Sequence, residues 1–88
     1  MNNTEASEFA RHERITAIRE AIANADGILK FAHAMGVSHQ AVYYWLKRGF
    51  VPIERALVIE ALFKVERERI MDPALLKALN TPSAAAFI

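Results

Sequence analysis

Gln40, Tyr44 and Lys47 stand four and three residues apart in the run SHQAVYYWLKRG, which covers residues 38–49. On a helix that spacing gathers them on one face, with His39 and Tyr43 beside them and Val42 and Trp45 on the opposite side. An amide, a phenol and an ammonium on one helical face have the chemistry to read and grip a nucleic acid. Glutamine can pair with adenine through two hydrogen bonds, a tyrosine edge can meet a thymine methyl, and a cation neutralises phosphate. His39, Gln40, Tyr44 and Lys47 are therefore the candidates for contact with base edges. Ser38, Tyr43, Arg48 and Lys30 are the candidates for phosphate. His39 would hold phosphate better when protonated, so binding is expected to tighten at lower pH.

Each of these residues also has a plainer structural role open to it. Ser38 suits a helix N-cap. Lys47 and Arg48 complement the dipole at a helix C-terminus. Gln40 and His39 can simply be solvated, Tyr44 can lie on the domain surface, and Tyr43 can serve packing or dimerisation as well as contact. Trp45 reads as core from its spacing with Val42 and from the usual burial of tryptophan.

A rod that presents such a face must be held by other elements. Segment 8–24 reads as a helix: Ile15, Ile18 and Ile22, thickened by Ala17, Ala21 and Ala25, form its stripe. Arg11, Arg14, Arg19 and Glu20 fall on its other side, and Ser7 is a candidate N-cap with Glu8 in the first turn. Asp26 is expected to cap a short second helix, about 27–34, directing Ile28, Phe31, Ala32 and Met35 inward. Gly36 ends it in a left-handed conformation, Val37 follows, and Ser38 caps a third helix to about Arg48. Gly49 stops that helix. Pro52 is expected as the first residue of a fourth, with Ala56, Leu57, Ile59, Leu62 and Phe63 on its apolar side. Val65, Ile70 and Met71 suggest a further short turn or helix, and ERER at 66–69 reads as a solvated helix face. Asp72-Pro73 opens a last short helix marked by Leu75, Leu76 and Leu79. The expected fold is all-α, a domain of about five helices over 1–80, with an apolar tail at 81–88 that is loose or docked on a partner.

Two short helices joined through Gly36-Val37, the second capped by Ser38, make the core of a helix-turn-helix at 27–49. Gly36 permits the turn and Ala32 lets the helices approach, while Phe31, Val37, Val42 and Trp45 lock the crossing. The run ILKFAHAMGVSHQAVYYWLKRG resembles the helix-turn-helix of Cro-type phage repressors and YdaS-like prophage regulators, and the following FVPIERALVIEAL is similar to the segment after their tryptophan. Lambdoid late activators share the style. The resemblance covers about residues 25–72. It differs at Ile28, where such proteins often carry a phosphate-holding glutamine, and at the bulky pair Tyr43-Tyr44. It implies a lambda-repressor-like arrangement and a transcriptional regulator, more often a repressor, that binds double-stranded operator DNA with its third helix in the major groove.

Charge distribution points the same way. Residues 27–53 hold Lys30, Lys47 and Arg48 with no acid, whereas the first 26 residues carry a surplus of acids and the last 35 balance five against five. One such helix covers few base pairs, so a homodimer is expected, built from 63–88 or from the long first helix. With no Cys, two Asp and three scattered His, catalysis and a metal site are not expected, and neither is a cofactor or small-molecule substrate. No apolar run reaches the ~18 residues of a membrane span, and the chain is expected to be cytoplasmic. The competing reading is a protein-interaction module, an antitoxin or anti-regulator, using Leu75, Leu76, Leu79 and the apolar tail; the resemblance also leaves a lambdoid-type transcriptional activator as an alternative.

Overall fold

The small-to-large alternation of Ala17, Ile18 and Ala21 gives the first helix a seam against which others can close, and all three are fully buried. In the computed structural model, which describes residues 3–80, α1 runs Asn3–Asn24. It begins well before the expected start, so Ser7 lies inside the helix and is not its cap. The turns before Arg14 are exposed and bring no apolar seam to the core, which is why hydrophobic periodicity does not reveal them.

At its C-terminus, Gly27 N–H donates to the Ile22 carbonyl at 3.0 Å, and Asp26 takes a left-handed φ of 69°. Asp26 thus closes α1, and the expected cap on the next helix is not made. Gly27 is the residue before α2, Ile28–Met35, and no side chain caps it. Phe31, Ala32 and Met35 are buried as expected, with Ile28 half-buried against the core. At the other end Gly36 adopts φ 69°, and Val37 N–H reaches back to the Ala32 carbonyl at 3.0 Å. Nothing crowds a Cβ at Gly36, so its requirement is purely the left-handed backbone.

After Ser38, α3 covers His39–Arg48, α4 Ile53–Phe63 and α5 Pro73–Leu79. Pro52 precedes α4 as its cap position, one residue earlier in role than expected. Asp72 accepts the Ala74 N–H at 2.9 Å with Pro73 at the first helical position, as the sequence indicates. Ala56 and Ile59 face the core, but Leu57 and Leu62 point to solvent, correcting their assignment to the inner side of α4. Phe63, also expected on that side, completes the inner face, its ring 5.3 Å from Phe31. Segment 66–69 is not an α-helix face: Arg67–Arg69 form a 3₁₀ turn. Arg67 pairs with Glu60 at 2.7 Å and Arg69 with Glu20 at 2.8 Å, so the turn is tied to α4 and α1. The hydrogen bonds from Arg67 hold the Glu60 carboxyl below its ordinary range.

Among the described residues, five α-helices surround one core of Ala17, Ile18, Phe31, Val42, Trp45, Val51, Ile59, Ile70 and their neighbours. Val51 N–H donates to the Ile70 carbonyl at 2.9 Å, pinning the chain after α3 to the 3₁₀ turn. Among the described residues no helix is long and apolar enough to cross a membrane.

Candidate nucleic-acid interface

Ser38 takes an extended backbone and its hydroxyl accepts the Ala41 N–H at 3.2 Å, so the cap begins α3 where the sequence indicates. From that start the helical period settles every later side chain. Val42 is fully buried and Trp45 is 5% exposed, while Tyr43 and Tyr44 are more than half exposed. The three consecutive rings therefore divide, one anchoring the helix and two facing out. Gln40 and Lys47 are exposed with Tyr44 on the outer face, and Ser38 and His39 are exposed at the N-terminal end. His39 meets Tyr43 edge to face, ring centroids 6.1 Å apart.

Arg48 is half-buried. Its guanidinium carbon sits 5.1 Å from the Tyr44 ring centroid and 4.3 Å from that of Phe50, and its Nε donates to the Phe50 carbonyl at 3.1 Å. The side chain thus braces Tyr44 through a cation–π contact and keeps a charge beside it. Lys30, on α2, lies 3.8 Å from Asp26, both groups largely in water. An exposed pair of that kind is worth little and leaves the ammonium available to a phosphate.

Two residues that hold the candidate site in place were not legible as such. Arg11 and Arg14 fall on the outer side of α1 by periodicity, but they do not simply face water. Arg11 Nη2 donates to the Lys47 carbonyl, and Arg14 Nε donates to the Gly49 carbonyl at 2.7 Å. Gly49, at φ 90°, is buried against Arg11, whose Cγ would lie only 2.9 Å from an added Cβ. Glycine is needed here twice over, for its left-handed backbone and for this close approach. The two arginines satisfy carbonyls at the C-terminus of α3 and add positive charge where the helix dipole is negative. Burial, and after it the neighbouring Arg11, press the Arg14 guanidinium below its usual value against the opposing pull of Asp72. An arginine i, i+3 pair before a glycine-ended helix was the only available signal, and nothing in the sequence links residues 35 positions apart.

Arg14→Ala should therefore loosen α3 without touching its outer face. The expected loss is about 1–2 kcal/mol of stability, since it removes a hydrogen bond from a charged donor to a half-buried carbonyl. Thermal unfolding followed by circular dichroism measures it.

Together Arg11, Lys47 and Arg48 make a cationic end to α3, and Gln40 and Tyr44 form its outer face. Arg55 Nη1 donates to the Met35 carbonyl at 3.0 Å, holding α2 at the turn. Among the described residues no three His, Asp or Glu side chains converge as a metal site. Comparison with protein-family models, curated proteins and solved structures gives no match for the chain.

Proposed function

We propose that the protein is a sequence-specific double-stranded DNA-binding regulator of the phage or prophage type, acting more as a repressor, with α3 lying in the major groove. One observation carries this reading. A short capped helix, held from below by Val42 and Trp45, presents an outer face of Gln40, Tyr44 and Lys47 and no acid. Gln40 and Tyr44 read base edges, with His39 and Lys47 beside them. Ser38, Tyr43, Arg48 and Lys30 hold phosphates, and Arg11 joins them at the C-terminal end of α3. The resemblance at 25–72 to Cro-type and YdaS-like regulators supports the same assignment. A homodimer is part of the proposal, because two α3 helices about one DNA turn, roughly 34 Å, apart supply the site length that specificity requires.

Selection of bound sequences from random duplex DNA tests the reading. Recovery of a two-fold symmetric site is the expected result, and a pool without enrichment would remove the proposal. Binding is also expected to weaken steeply with salt, log K falling against log[salt] by about 0.9 per phosphate neutralised. Lys30→Ala, a change at a proposed phosphate contact, should reduce that slope by about 1 and weaken all sequences alike. Fluorescence anisotropy over a salt series measures both.

The interaction-module reading keeps one supporting observation. An open groove of ≈ 450 Å³ lies between α1 and α5, lined in part by Phe9, Met71, Pro73 and Leu76. Leu75 is half-buried and Leu79 exposed, while the tail at 81–88 lies outside the described residues. A module of that kind would lose its protein partner on removal of 81–88 and would be indifferent to changes at Gln40 and Tyr44.

A further inference from the structure

A helix that is apolar on both sides belongs in an interior, and α4 is such a helix. Its inner side carries the buried Ala56 and Ile59. Its outer side carries Leu57, Val58, Ala61 and Leu62, all exposed; Leu57 and Leu62 are 41% and 53% open to solvent. A single exposed leucine is ordinary on a protein surface. Here four apolar residues at i, i+1, i+4 and i+5 make one continuous stripe, bounded at its N-terminal end by Glu54.

The ends of the stripe say what fits it. Glu54 stands in the first turn of α4, and Lys64 is the residue that closes the helix. Among the described residues neither has an ion-pair partner, and Lys64 Nζ donates to its own helix end at the Ala61 carbonyl, 3.2 Å away. The other acid of α4, Glu60, is engaged by Arg67. An apolar stripe with an unpaired acid at one end and an unpaired base at the other is complementary to itself when turned end for end.

We infer that the outer face of α4 is a self-association surface that takes α4 of a second copy of this chain, packed antiparallel across a two-fold axis near the level of Ile59. An isologous contact of this kind brings the same patch from both subunits together. Leu57 of one copy meets Leu62 of the other at each end, and Val58 packs near Ala61 at the middle. Glu54 and Lys64 are ten residues apart, about 15 Å along the axis, so two such pairs bracket the apolar strip. The inference rests on the DNA-binding reading for its purpose, supplying the second α3, but not for its test. It places the contact on α4, where sequence alone pointed to 63–88 or the first helix.

Sedimentation of the full chain without DNA, over a concentration series, provides the measurement. A monomer–dimer equilibrium is expected. Leu62→Asp and Glu54→Lys should each weaken it by roughly tenfold or more, since each sets a charge against apolar or like-charged surface. Circular dichroism should show both variants folded, the altered side chains being exposed. The double change Glu54→Lys with Lys64→Glu should restore association, an outcome that a merely sticky surface would not produce. A monomer at every concentration, a dimer indifferent to these changes, or a dimer formed through this face only after removal of 81–88 would overturn the inference. Dimerisation through α4 without enrichment of any DNA site would support it and tell against the regulator. Enrichment of sites by a chain that stays monomeric would overturn the α4 contact and the homodimer while leaving DNA binding by α3 in place.

Discussion

Trp45→Ala should cost about 3–5 kcal/mol, the range for removing a large aromatic from a packed core. The indole is 5% exposed and lies under α3 with Val42, Phe31 and Ile18 in the same core. A domain of this size has roughly 4–13 kcal/mol of total stability, at about 0.05–0.15 kcal/mol per residue. The substitution therefore takes about a quarter of it or more, and the chain is expected to unfold well below its normal midpoint. Tyr44→Ala, one residue earlier, removes a ring of similar size from the surface. It should cost no more than about 0.5–1 kcal/mol, the worth of an exposed contact with Arg48. Chemical denaturation of the two variants side by side measures the contrast. Because Trp45 is the sole tryptophan, its emission reports unfolding in the Tyr44 variant, while circular dichroism must serve for the Trp45 variant. Equal losses at the two positions would mean that α3 does not sit as described.

That contrast was legible in the sequence because a ten-residue helix with a serine cap and a glycine stop has only one way to divide its faces. Once Val42 is inside, Trp45 follows it and Gln40, Tyr44 and Lys47 cannot. The left-handed glycines at 36 and 49 and the Asp72-Pro73 start were legible for the same local reason. What could not be read depends on residues distant in the chain. Asp26 has the right chemistry for a cap on α2, but a left-handed residue was needed to end α1 two positions earlier, and that need prevailed. Leu57 and Leu62 are apolar, yet α4 meets the core through Ala56, Ile59 and Phe63, leaving no inner space for them. Arg11 and Arg14 are polar, and periodicity alone sends them to water. Only the crossing of α1 over the end of α3 turns them into its anchor.

This anchor bears on how the outer face works. Base contacts discriminate only when their side chains start from a fixed helix, since every degree of freedom frozen on binding subtracts from affinity. α3 is fixed at three places: the Ser38 cap, the Trp45 root and the arginine-bound carbonyls of Lys47 and Gly49. A face held so firmly can be altered without altering the fold.

The paired change Gln40→Ala with Tyr44→Ala should then leave stability within about 1 kcal/mol while removing sequence preference. A good bidentate pair such as Gln40 with adenine is worth about 1–3 kcal/mol. The double change should thus cost at least roughly fivefold to 150-fold in affinity for the selected site, with the loss of the Tyr44 contact added. Affinity for unrelated duplex should fall far less, because the residues proposed to hold phosphate, Arg11, Arg48 and Lys30 among them, are unchanged. Competition titrations against selected and scrambled DNA read the ratio directly. Lys30→Ala provides the opposite signature, weakening both DNAs together and lowering the salt slope. If the double change lowered both affinities by the same factor, Gln40 and Tyr44 would be holding the backbone, and the readout would have to come from His39 and Lys47. If it lowered neither, α3 would not be the surface that meets DNA.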